Sequence, residues 1–131
     1  MREPQEQAVR PLRPALMLGL CGKCPACGEG RIFARFLKSA DHCQNCGQKF
    51  TGHQADDLPA YIVILLVGHI LVALMIEINH IFNVPLHWQI IIWPLAATVI
   101  AVALIQPVKG AVIALQWARR MHGFAQEKAA E

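Results

Sequence analysis

The residues in this chain best suited to chemistry are thiols. Five cysteines fall between positions 21 and 46, and four of them form two pairs of one pattern. These are Cys24-Pro25-Ala26-Cys27-Gly28 and Cys43-Gln44-Asn45-Cys46-Gly47. Two residues separate the cysteines of each pair, so a single tight turn can aim both sulfurs at one ion. Structural zinc takes four ligands in a tetrahedron, often all thiolates, and two such turns supply that set. A glycine follows the second cysteine of each pair, where the returning backbone favours a positive φ. The pattern therefore predicts one structural zinc held by Cys24, Cys27, Cys43 and Cys46. The competing reading is a redox dithiol or a labile metal-transfer site. It is the weaker one in a reducing cytoplasm, where paired motifs this regular are usually metallated. Cys21 stands at the same spacing from Cys24 and is an alternate ligand. The preferred set is the one in which each pair ends in Cys-Gly. Closing the site would fold about thirty residues that are too few to fold alone. Ile32, Phe33, Phe36, Leu37 and Phe50 are the side chains available for a small core around the metal.

A second group of polar residues lies where polarity is costly. Ala60 to Ile78 is an apolar run broken only by Gly68, His69 and Glu77, and Leu86 to Ile105 is another. Each spans about 28–30 Å as a helix, close to the hydrocarbon thickness of a bilayer. Trp88 and Trp93 near the start of the second run suit an interface. On a continued helix His69, Glu77 and His80 share one sector, with His87 near the start of the second span. Imidazole and carboxylate there form a candidate intramembrane site for copper, haem or proton relay. The simpler reading has Glu77 reaching interfacial water and His69 hydrogen-bonded to a neighbouring helix. Asp56 and Asp57 precede Pro59 at a helix start. Capping at the positive end of the dipole explains them, and docking of a basic partner segment is the alternative.

These residues need a scaffold, and composition bounds it. Of 131 residues, 55% are apolar and 16% charged. That is too apolar for a small soluble domain. A net charge of +3 is too weak to imply nucleic acid. No secretory signal is visible, and Leu18-Gly19-Leu20-Cys21 only superficially resembles a lipoprotein cleavage site, because Leu20 is not small. Residues 1–20 read as a flexible arm, 21–58 as the zinc ribbon and its linker, and 59–106 as a two-helix transmembrane hairpin joined by a turn at 79–85. A buried hairpin in a soluble core is disfavoured, since nothing else in the chain could cover both helices. Residues 107–122 read as an amphipathic interfacial helix with Lys109, Gln116 and Arg120 on one stripe; packing back on the ribbon is the alternative. Residues 123–131 form a tail. The expected fold class is a membrane α-helical hairpin with a small N-terminal zinc ribbon of short β elements and a C-terminal interfacial helix. Eight Lys and Arg precede residue 59, none lies in 79–85, and four follow the second span. Positive charge stays inside, which predicts both termini in the cytoplasm.

Several stretches together carry a family resemblance: Cys24-Pro25-Ala26-Cys27-Gly28-Glu29-Gly30-Arg31-Ile32-Phe33, Phe36-Leu37-Lys38, the second Cys pair, Ala55-Asp56-Asp57, Gly68-His69 and Pro107-Val108-Lys109-Gly110. The chain resembles, over about residues 15–124, the bacterial membrane family called domain of unknown function 983. Leu58 stands where a glycine is expected before the proline, and Cys21 is extra. The resemblance implies a two-span inner-membrane protein, found mainly in alphaproteobacteria. It also implies gene neighbours among cytochrome c oxidase subunits and assembly factors, and hence a role in oxidase biogenesis. It supplies no catalytic residue, and no nucleophile–base set or phosphate loop appears, so an enzyme is not expected. The favoured function is a non-catalytic assembly or adaptor protein. It would contact the lipid bilayer and a membrane partner such as a respiratory oxidase subunit or assembly factor, with a second copy of the chain as another candidate. Metal or haem handling by His69, Glu77 and His80 is the runner-up, and membrane-tethered nucleic-acid binding comes after it.

Overall fold

The computed structural model describes residues 10–50 and 57–120. Asp56, much of the 51–58 linker and the 123–131 tail lie outside the described residues. The elements in chain order are α1 (Leu12–Leu20), β1 (Phe33–Arg35), β2 (Lys38–Ser39), α2 (Leu58–Phe82) and α3 (Leu86–Arg119).

Helix α1 occupies most of the described part of the segment read as a flexible arm. Its stop signal is Gly22, at φ 72°. The Lys23 N–H donates to the Leu18 carbonyl at 2.8 Å and the Gly22 N–H to that of Gly19 at 3.0 Å. This double bond pattern with a left-handed glycine closes a helix end. At nine residues α1 is too short to persist alone. Its buried residues Ala15 and Gly19, one turn apart, pack it onto α3. A Cβ at Gly110 would overlap the Gly19 carbonyl oxygen, so the two backbones touch directly.

The strands β1 and β2 form a short antiparallel hairpin, with Phe33 opposite Ser39 and Arg35 opposite Lys38. Leu37, at φ 60°, makes the turn between them. Helix α2 begins after Asp57, whose side chain makes no capping hydrogen bond, and has Pro59 in its first turn. It runs into the anticipated 79–85 turn as far as Phe82 and ends on Asn83 in the left-handed region. The connection is thus only Asn83–Pro85. Gln89 Nε2 stitches it by donating to the Val84 carbonyl at 2.7 Å and to Asn79 Oδ1 at 3.0 Å.

The largest departure from the sequence reading is α3. It continues without a break through Pro94 and Pro107 for 34 residues, about 51 Å at 1.5 Å per residue. No separate interfacial helix exists at 107–119. A proline inside a helix costs about 3 kcal/mol. Beyond Pro107, Val112, Ile113 and Trp117 are buried. Burying such a side chain contributes about 1.5–3 kcal/mol, so tertiary packing outweighs the lost bond. The segment packs back on the ribbon, the alternative reading, and its polar stripe meets protein: Gln116 is 3% exposed, and Lys109 bonds the β hairpin.

One core joins these pieces. Ala15 of α1, Ile32, Phe33 and Phe50 of the ribbon, and Val112, Ile113 and Trp117 of α3 pack together with Cys24 and Cys43. Phe36, expected in that core, is exposed. The helices α2 and α3 are both long and apolar enough to cross a membrane, with 17% and none of their most apolar stretches buried.

The Gly19–Gly110 contact sets how closely α1 can lie on α3. Gly110→Ala should destabilise that docking by about 1–3 kcal/mol, seen as a lower thermal midpoint and faster tryptic cleavage after Lys23, just beyond α1. Gly68→Ala, where an added Cβ meets nothing within 4 Å, should leave both unchanged.

Candidate metal centre

Each cysteine pair sits on the same turn. The Gly28 N–H donates to the Cys24 carbonyl at 2.8 Å, and the Gly47 N–H to the Cys43 carbonyl at 2.9 Å. Both glycines have positive φ, 76° and 77°. Antiparallel bridges between Lys23 and Arg31 and between His42 and Lys49 close the base of each turn. The Cys24 N–H donates to the Gly30 carbonyl and the Cys43 N–H to that of Gln48, both at 2.8 Å.

The two turns face one another. The sulfurs of Cys24, Cys27, Cys43 and Cys46 all lie within 4.8 Å of each other. Across the turns, Cys24 and Cys46 are 3.7 Å apart, as are Cys27 and Cys43. Four sulfurs held about 2.3 Å from one ion in a tetrahedron sit about 3.8 Å from one another. The donor set and spacing therefore suit a single metal ion held by four protein ligands. Cys24 and Cys43 are buried in the shared core, while Cys46 is exposed.

The local electrostatics divide the four thiols. Burial pushes the Cys24 thiol well up and also raises Cys46. Cys27 is lowered to about 6, chiefly by the Gly30 backbone N–H, then by that of Glu29 and by Asn45. The Gly30 N–H lies 3.5 Å from the Cys27 sulfur. Glu29 in turn accepts a bond from Asn45 Nδ2 at 3.2 Å, so a residue of the second pair's turn braces the first.

Gly30 is the site residue that the spacing argument missed. A Cβ there would fall on the Cys43 sulfur. The Cys-Gly-Glu-Gly run after the first pair held this signal: Gly28 provides the bend, and Gly30 allows the opposite sulfur to approach the backbone.

The remaining candidates lie elsewhere. Cys21 is exposed at the end of α1 and is not one of the four converging thiols. Among the described residues, no second metal-binding group forms, and His69, Glu77 and His80 do not converge. All three are exposed along α2. A ring nitrogen of His69 is satisfied by the Leu65 carbonyl at 2.7 Å, one turn back. His80 lines a polar cleft with Asn79, Asn83 and Gln89 at the far end of the hairpin. Asp57 is exposed at the start of α2.

A helical hairpin whose second helix carries a four-thiol domain is the class this fold and site define. A family model described as "Protein of unknown function (DUF983)" matches residues 33–117, well over half of the chain. The chain belongs to that family. The matched stretch contains the second cysteine pair and both long helices but begins after Cys24 and Cys27, so it is narrower than the resemblance read from the motifs. No curated protein and no solved structure matches the chain.

Gly30 and Gly47 separate steric from conformational demands. Reconstituted with cobalt(II), the chain should show thiolate-to-metal charge-transfer absorption. Gly30→Ala should weaken cobalt binding at least about tenfold, the effect of roughly 1.4 kcal/mol. Gly47→Ala, with nothing within 4 Å of its Cβ, should cost only left-handed strain of about 1–2 kcal/mol and keep the spectrum.

Proposed function

We propose that this chain is a non-catalytic assembly or adaptor protein of the bacterial inner membrane, and that its four thiolates hold one structural zinc. The observation that carries the reading is the continuity of α3, which leaves the apolar hairpin and becomes part of the thiol domain's core. Arg10 adds to that joint, donating to the Trp117 carbonyl at 2.9 Å with its guanidinium 4.5 Å above the indole ring. Leu37 of the β hairpin is bonded at both its N–H and its carbonyl by side chains of α3. A domain fixed to its spans in this way presents one face at a set height above the bilayer, as an adaptor requires.

Zinc is the favoured ion because four thiolates with no open position match its structural sites. The Lys and Arg distribution supports a cytoplasmic ribbon with both termini inside. The hairpin would supply the partner surface. Between α2 and α3 runs an apolar groove of about 420 Å³ whose lining includes Val67, Gly68, Leu71, Trp93 and Ala97. Gly68 and Ala97 would let a partner helix approach closely. In this reading the process is cytochrome c oxidase biogenesis, as the family resemblance implies, and the partner is an oxidase subunit or assembly factor.

Crosslinking in native membranes followed by affinity purification tests this reading. The wild-type chain should capture an oxidase subunit or assembly factor, and its deletion should lower assembled oxidase. Gly68→Leu should reduce capture severalfold while leaving metal content unchanged. Unaltered oxidase levels on deletion, together with no oxidase-related partner, would refute it.

A further inference from the structure

The tip of the β hairpin takes no part in the thiol cluster. It reads Arg35-Phe36-Leu37-Lys38, and Phe36 is 60% exposed between two exposed cations. Its position is fixed by α3. The Leu37 N–H donates to Gln106 Oε1 at 3.2 Å, and Lys109 Nζ donates to the Leu37 carbonyl at 2.6 Å. Gln106 directly follows Ile105, the end of the second apolar run. The exposed ring is therefore held within one helical turn of the point where the span ends.

Beside the tip opens a cleft of about 580 Å³, lined by Lys23, Arg31 and Arg35 together with Glu29, Cys21 and Gln106. None of the three cations is ion-paired among the described residues. Three positive charges face one carboxylate, and that carboxylate already accepts a bond from Asn45. An aromatic ring flanked by cations, next to a cationic cleft at the edge of the hydrocarbon, suits one kind of neighbour. The ring can sit among upper acyl chains while the cations reach phosphate oxygens.

We propose that the hairpin tip and this cleft form a binding site for an anionic phospholipid of the cytoplasmic leaflet. Phe36 enters the interface, and Lys23, Arg31 and Arg35 hold the headgroup phosphate. The inference rests on the reading of α2 and α3 as membrane spans. It gives the basic residues of the ribbon a role separate from nucleic acid, and it gives Phe36 a reason to be outside the core.

The full chain, carrying the photoreactive benzophenone analogue of phenylalanine at position 36, tests the site in phosphatidylcholine vesicles with and without phosphatidylglycerol. Illumination should yield adducts one phospholipid heavier. Mass spectrometry of the detergent-extracted protein should show phosphatidylglycerol retained over phosphatidylcholine. Lys23→Gln, Arg31→Gln and Arg35→Gln should each lower that preference about fivefold, the effect of one interfacial charge. The cobalt spectrum of each variant checks that the thiol domain is intact. Absence of lipid adducts, or an unchanged preference in the triple variant, overturns the inference while the protein stays in the membrane under alkaline extraction. Release by alkali overturns the membrane reading as well.

Discussion

About thirty residues between Gly22 and Phe50 must hold a defined shape with only Ile32, Phe33 and Phe50 as large buried side chains. So small a unit buries too little apolar surface to offset its chain entropy. The convergence of four sulfurs from two turns is the constraint on which the rest depends. An ion bound there would cross-link Cys24–Cys27 to Cys43–Cys46 and remove much of the unfolded chain's freedom. The two buried thiols, Cys24 and Cys43, lie in the same cluster as Ile32 and Phe50, so closing the site and forming the core are one event.

The second support comes from outside the ribbon. Helix α3 enters the core with Val112, Ile113 and Trp117, and α1 covers it through Ala15 and Gly19. Neither helix has an independent reason to be where it is. The short α1 gains its stability by packing, and α3 persists past Pro107 because its last turns are buried. The result joins a four-thiol domain to an apolar hairpin through a continuous helix. The polar groups that define the joint, Gln106 and Lys109, both go to the backbone of Leu37.

The parts of this arrangement governed by local chemistry were legible in the sequence. Cysteine spacing identified the four converging thiols. The glycines after each pair have the positive φ expected of them, and both apolar runs are helices. What escaped was set by contacts between distant segments. Nothing local distinguishes residues 12–20 as helix except the stop at Gly22, because the face that stabilises them is made by residues nearly a hundred positions later. Pro107 is an ordinary helix breaker until the burial of Ile113 and Trp117 is known. Phe36 looked like a core residue because it is aromatic, yet the left-handed turn at Leu37 and its two bonds to α3 leave it facing outward. Gly30 and Gly110 are required by the close approach of a sulfur and of a backbone carbonyl, and neither neighbour is near in sequence.

The most direct test of the account is the metal stoichiometry of the full-length chain purified in mild detergent, followed by near-ultraviolet circular dichroism as a strong chelator removes the ion. One zinc per chain is predicted. Its removal should abolish the fixed environment of Trp117 while the far-ultraviolet helical signal of the hairpin largely remains. A metal-free protein with the same near-ultraviolet spectrum, or a domain that keeps its tertiary signal after the ion is stripped, would contradict it.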